Sequence, residues 1–141
     1  LLQRLSANHP NKVAVRLEFS DRLAHQIEAG SDMFVMASRY EPCGLNQLYS
    51  LKYGTVPVVR RTAGLADSVQ HFAPSTGQGT GIVFNDFDAA AVRWALATAL
   101  DWQSWPSVWR RLVLNGMRQD FSWDTQGAAY ERLYESLTQS V

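Results

Sequence analysis

One stretch concentrates the residue types that could do chemistry: Ser38-Arg39-Tyr40-Glu41-Pro42-Cys43-Gly44-Leu45-Asn46-Gln47-Leu48-Tyr49. It reads as a strand end, an acidic residue, a proline, and a glycine at a helix start. The N–H groups of Gly44, Leu45 and Asn46 stand free at such a start, and with the helix dipole they form an anion site suited to phosphate. Glu41 stands just before them. A carboxylate there can accept hydrogen bonds from two neighbouring sugar hydroxyls. The combination fits a sugar attached to a diphosphate. By spacing alone, a solvated Glu-Pro turn with Gly44 at positive φ fits the same residues.

The elements around this stretch must position it. Residues 1–7 read as the end of a helix. Residues 13–19 (Val-Ala-Val-Arg-Leu-Glu-Phe) are rich in β-branched residues and alternate toward their end, which predicts a strand. Ser20 and Asp21 offer an N-cap, and 21–29 reads as a helix stopped by Gly30. The run Met33-Phe34-Val35-Met36-Ala37 predicts a second strand, apolar on both faces as in a covered parallel sheet. A helix over 45–53 ends at Gly54, and 56–60 is a third strand with Pro57 near its start. Residues 65–72 predict a short helix, 73–81 a Gly-rich mobile loop, and 82–84 a fourth strand. From about Asp88 the pattern is helical: one helix to about residue 101, one from Pro106 to Met117, and a last one begun near Ser122 or Asp124. Strand–helix alternation predicts an α/β fold with a Rossmann-like parallel sheet flanked by helices, followed by C-terminal helices. Such sheets bind ligands beyond the carboxyl ends of their strands, so loops 19–21, 39–44, 60–65 and 85–88 should share one edge.

The whole-chain numbers narrow the function classes. The 141 residues make one domain, with 46% hydrophobic and 18% charged residues. Lys plus Arg is 13 and Asp plus Glu is 13, so the net charge is zero and speaks against a nucleic-acid or anionic-membrane partner. No apolar run approaches a membrane span. A single cysteine, Cys43, excludes an intrachain disulfide and points to a reducing compartment. The opening Leu1-Leu2-Gln3-Arg4 has no Met and no secretory pattern, and reads as the interior of a longer protein.

Other candidates read as structural. Cys43 at a helix start could be an activated thiol, but no His is near it in sequence. His9, His25 and His71 lack metal-ligand spacing and read as satisfied polar positions, His25 holding local backbone. No metal and no cofactor is expected. Gly77, Gly79 and Gly81 precede a strand, which is the wrong order for a dinucleotide fingerprint. Trp102, Trp105 and Trp109 read as packing, and the pairs Arg60-Arg61 and Arg110-Arg111 are too short for a nucleic-acid patch.

Three segments together resemble a known family. Arg39 to Tyr49, Leu51-Lys52-Tyr53-Gly54-Thr55-Val56-Pro57, and Arg60-Arg61-Thr62-Ala63-Gly64-Leu65-Ala66-Asp67 resemble the bacterial glycogen synthase and plant starch synthase family. Gly81-Ile82-Val83-Phe84 and Asp120-Phe121-Ser122-Trp123 extend the resemblance across nearly the whole chain. The family has two Rossmann-like domains facing across a cleft, the GT-B arrangement. It transfers glucose from ADP-glucose to the non-reducing end of an α-1,4-glucan, with retention and without a metal. The resemblance implies that residues 1–141 are a partial C-terminal, nucleotide-sugar-binding domain, and that the N-terminal acceptor domain of the same chain is absent. It implies a cytoplasmic protein, or one of the plastid stroma if from a plant.

Carried over by position, Glu41 matches the glutamate that contacts donor glucose and supports catalysis. Cys43, Gly44 and Leu45 match the segment whose backbone N–H groups meet glucose hydroxyls and phosphate. Asn46 stands where Thr is commoner, and its backbone N–H can still serve. Phe19 matches an aromatic position that stacks on adenine; Phe keeps the face and lacks the hydroxyl of Tyr. Tyr49 stands where the broader glycosyltransferase class has a second Glu, and glycogen synthases also carry Tyr there. Ala63 replaces a usual Gly; a positive φ there costs Ala about 1 kcal/mol. The family's donor-phosphate Arg and Lys, and its Lys-x-Gly-Gly-Leu motif, lie upstream of the matched segment, so the isolated chain is expected to be inactive. The rival readings are another retaining GT-B enzyme using UDP-glucose, which Tyr49 opposes, and a non-catalytic α/β binding module. Arg60-Arg61 opposes the receiver-like form of the latter, which wants an Asp at the third strand's end.

Overall fold

The segment Val56-Pro57-Val58-Val59-Arg60 is apolar on both faces and needs cover on both. In the computed structural model, which describes residues 1–138, it is the middle strand of a three-stranded parallel sheet. The elements run α1 (Leu2–Asn8), α2 (Asp21–Ala29), β1 (Met33–Met36), α3 (Asn46–Tyr53), β2 (Val56–Arg60), α4 (Ala63–Ser68), β3 (Ile82–Phe84), α5 (Ala89–Gln103), α6 (Pro106–Met117) and α7 (Trp123–Thr138). The order is β1-β2-β3, with Met33 opposite Val56 and Val58 opposite Ile82.

The two faces of β2 feed two cores. Val56 and Val58 pack with Phe72, Ile82, Phe84, Ala95, Ala99, Trp102 and Leu112, so α5 and α6 cover one face. Val59 and Val83 pack with Leu65 and Val69 on the other. Burying each such side chain contributes about 1.5–3 kcal/mol. Pro57 sits in this middle strand without costing a ladder bond. Val56 N–H donates to Asp32 O on the β1 side, and the next residue faces β3, whose ladder begins only at Val58.

Helix ends follow their residues. Ser20 Oγ accepts from Leu23 N, Asp88 Oδ1 accepts from Ala91 N, Pro106 opens α6, and Gly54 closes α3 at φ +84°. At the head of α7, Asp120 accepts from Ser122 N and Thr125 Oγ1, and hydrogen bonding by the Ser122 side chain, then Thr125, then the Ser122 backbone lowers its pKa to about 2.

Several expectations are corrected. Residues 13–19 form no strand. Val13 and Val15 are half-buried, but Leu17 and Phe19 are exposed, and no ladder joins them to β1. Alternation marks a chain that could be a strand; only paired N–H and C=O groups make it one. The sheet thus has three strands among the described residues, and loop 19–21 follows no strand. The helix expected over 65–72 runs earlier, as α4, and gives way at Val69 to extended backbone. The 73–81 loop is fastened: Asn115 Nδ2 donates to Gly77 O and Gly79 O, and Ala73 N donates to Gln78 O. Trp102 and Trp109 pack in the core as read, whereas Trp105 is half-exposed. His25 engages side chains rather than backbone, with Nδ1 3.1 Å from Tyr53 Oη and Nε2 3.7 Å from Asp21.

Candidate functional site at the carboxyl edge of the sheet

The ends of the three strands are sewn together by two arginines. Arg60, last in β2, donates through Nε to Asn85 O at 3.1 Å and through Nη1 to Arg39 O at 2.9 Å. Its guanidinium also lies over the Phe87 ring, 5.4 Å from the centroid, and Arg39 lies over the same ring at 5.7 Å. Arg61 N donates to Phe84 O, and Arg61 Nε to Asn85 Oδ1. The loops after β1, β2 and β3 therefore share one edge, as parallel topology requires.

On that edge the 38–46 segment turns sharply into α3. Ser38 Oγ donates to Glu41 Oε2 at 3.3 Å, so one carboxylate oxygen is anchored. Gly64 N donates to Glu41 O at 3.1 Å. Gly64 is pressed so close that an added Cβ would overlap the Cys43 carbonyl. Gly44 has φ +71°, and a Cβ there would overlap Gln47 Oε1. The N–H groups of Gly44, Leu45 and Asn46 have no partner among the described residues, and they lie at the N-terminal end of α3.

Beneath this turn lies Gln47, in the first turn of α3. Its Nε2 is within 3.0 Å of both Cys43 O and Gly44 O, and 3.2 Å from Ser68 Oγ. Ser68 Oγ in turn donates to Gly64 O at 2.6 Å. A cleft of about 380 Å³ opens between Cys43, Gly44, Gln47 and Gly64 on one side and Phe121 and Gln126 on the other. A larger groove, about 810 Å³, runs between Ala37, Phe84, Phe87 and the α5 side chains Val92, Leu96 and Leu100. Its lining is nearly all apolar, with Asp88 and Arg93 also lining it.

The structure brings Glu41, Cys43, Gly44, Leu45 and Asn46 onto one turn. Phe19 stands apart, 99% exposed, just ahead of α2 and with no ring contact among the described residues. Cys43 is exposed, its Sγ 3.5 Å from Gly44 O. Ala63, which stands where a Gly is usual, has φ +34° and so does sit in the left-handed region. His71 accepts from Val83 N through Nδ1 at 3.0 Å and stacks on Trp94. Burial, and then the nearby Arg61 charge, hold its pKa below the usual histidine value. Glu28 is buried, which pushes its carboxyl up, with His25 partly opposing. Sequence reasoning did not single out Gln47, Gly64 or the clamping role of Arg60. Arg60 and Gly64 have partners 21 to 25 residues away, beyond what local spacing can show; Gln47 binds Cys43 O and Gly44 O only four and three residues back, a side-chain-to-backbone contact that spacing alone does not reveal.

Known proteins share this sequence pattern and fold. The family model described as "Glycosyl transferases group 1" matches residues 2–111. Glycogen synthase of Koribacter versatilis is 49% identical over 139 residues, which is 99% of this chain and 29% of that protein. Glycogen synthase of Anaeromyxobacter sp. strain K is 50% identical over 134 residues, covering 95% of this chain and 28% of that one. Among solved structures, the catalytic domain of starch synthase IV from Arabidopsis thaliana, bound to ADP and acarbose, superposes with a TM-score of 0.80 at 33% identity, over 95% of this chain and 28% of that chain. Sucrose-phosphate synthase from Thermosynechococcus elongatus shares the fold, with a TM-score of 0.68 at 22% identity, over 99% of this chain and 34% of that chain. The chain thus spans under a third of the glycogen synthases it matches, and its fold is that of the Rossmann-like α/β domain of GT-B enzymes. With its fold, its strand-end turn and a family match over most of its length in accord, the chain belongs to the group 1 glycosyl transferases.

Proposed function

We propose that this chain is the partial C-terminal, nucleotide-sugar-binding domain of a glycogen synthase. The parent protein would transfer glucose from ADP-glucose to the 4-hydroxyl at the non-reducing end of an α-1,4-glucan, with retention. One observation carries the reading: a carboxylate, Glu41, stands just before three unpartnered N–H groups at the start of α3. In this reading Glu41 accepts hydrogen bonds from donor glucose hydroxyls. The N–H groups of Gly44, Leu45 and Asn46 meet hydroxyls and the diphosphate, helped by the α3 dipole. Phe19 offers a ring face to adenine. The names of the relatives, and the ADP bound to the catalytic domain of starch synthase IV, support the choice of donor.

Departure of the diphosphate needs cations, and Arg60 is already engaged with the carbonyls of Arg39 and Asn85. In this reading the cations are the Arg and Lys that the family resemblance places upstream of this segment, so the isolated chain is expected not to turn over. No metal or cofactor is required, and the site of action is the cytoplasm or plastid stroma. The partners are the nucleotide sugar, the glucan and the N-terminal domain of the same chain.

The test is a titration of the 141-residue chain with ADP-glucose, ADP and UDP-glucose, followed by amide NMR. Shifts at Gly44 to Gln47 and near Phe19, larger for the adenine compounds, are expected. Larger shifts with UDP-glucose, or shifts only elsewhere, would overturn the donor assignment.

A further inference from the structure

Resting on that reading of the site, we infer that Gln47 is a positioning residue: it holds the carbonyls of Cys43 and Gly44 inward and so turns the N–H groups of Gly44 and Leu45 toward the donor. A trans peptide unit is planar, with its C=O and N–H pointing opposite ways. Fixing Cys43 O therefore fixes Gly44 N–H, and fixing Gly44 O fixes Leu45 N–H. Gln47 Nε2 lies 3.0 Å from each of those oxygens. Gln47 is 1% exposed, so the amide end of these bonds is shielded from water.

The other half of the amide sharpens the argument. Gln47 Oε1 is buried without a hydrogen-bond partner among the described residues. A methionine would fill nearly the same volume and would carry no unsatisfied Oε1 of its own, so apolar packing alone does not account for an amide here. What the amide adds is the pair of N–H donors. Ser68 links this clamp to Glu41: Ser68 Oγ donates to Gly64 O, and Gly64 N donates to Glu41 O. Gln47 thus sets the donor-facing N–H groups in a fixed relation to the carboxylate.

The experiment measures kcat, donor KM and acceptor KM of the full-length parent, with ADP-glucose and glycogen, for the wild type, Q47M and Q47E. Q47M is expected to keep the wild-type melting temperature within a few degrees and to raise donor KM at least ten-fold. Acceptor KM should stay within two-fold. Q47E sets a carboxylate against two carbonyls, so its donor KM should rise further at neutral pH. It should recover relative to wild type on acidification, because a neutral carboxylic acid can donate one hydrogen bond. A folded Q47M with wild-type donor KM overturns the proposal. So does a rise in both KM values together with a lower melting temperature, or failure of both variants to fold, since each marks Gln47 as core alone. An inactive wild-type parent overturns the donor reading and the role of Gln47 with it, whereas an active wild type beside an unchanged Q47M overturns only the latter.

Discussion

Gly64 touches Cys43 so closely that its missing side chain is part of the site. Its N–H donates to Glu41 O at 3.1 Å, and a Cβ at Gly64 would overlap the Cys43 carbonyl. The backbone of α4 is thereby the wall against which the Glu41–Gly44 turn is moulded.

Gly64→Ala should therefore act on site and stability together. The overlap is with backbone, which cannot rotate away, so the turn must shift. A loss of about 1–3 kcal/mol is expected, typical of overpacking, together with loss of donor-induced amide shifts at Gly44 and Leu45. Urea unfolding and the NMR titration read the two effects. Wild-type values in both would show that the turn relaxes freely.

Ala63→Gly should stabilise the chain. Ala63 is held at φ +34°, where its Cβ crowds the backbone, and Gly removes that strain. Against the greater chain entropy of Gly, a net gain of up to about 0.5 kcal/mol remains, or roughly one to three degrees in melting temperature. A lower melting temperature for Ala63→Gly would contradict this.

His71 should make stability depend on pH. Its folded pKa lies below the usual histidine value, so the unfolded chain binds more protons where the two differ. The stabilisation is full above about pH 6.5 and is lost as pH falls from there through the folded pKa. Protonated Nδ1 could no longer accept from Val83 N. The wild type should lose more stability than His71→Gln between neutral and mildly acidic pH in urea melts. Parallel slopes would remove His71 from the account.

Leu112, on α6, is fully buried in the cluster that joins α5 and α6 to the sheet. Leu112→Ala should cost about 2–5 kcal/mol through lost burial and a cavity. Chemical denaturation gives the number directly. A cost under about 1 kcal/mol would mean that α6 collapses onto the space left behind.

Much of the fold was legible because its signals are local. The apolar run 56–60, the Ser20 and Asp88 caps, Pro106 at the head of α6 and the stop at Gly54 each state their element within a few residues. The Glu41–Asn46 turn was legible in the same way, since acid, proline, glycine and helix start follow closely and Gly44 duly has a positive φ. Residues 13–19 show the limit: their alternation satisfies the pattern of a strand, but a strand needs an edge to pair with, and pattern does not supply one. The sequence by itself determined most of the helices, the apolar strands and the Glu41–Asn46 turn, because propensity, capping and periodicity act over a turn or two of chain. Only the tertiary structure decided that Arg60 closes the strand ends, that Gln47 underlies the turn and that Gly64 walls it. The Arg60 and Gly64 contacts, and the Ser68 bond that ties Gln47 to α4, join residues 21 to 25 positions apart, while the Gln47 bonds to Cys43 O and Gly44 O are local but need the turn's folded shape.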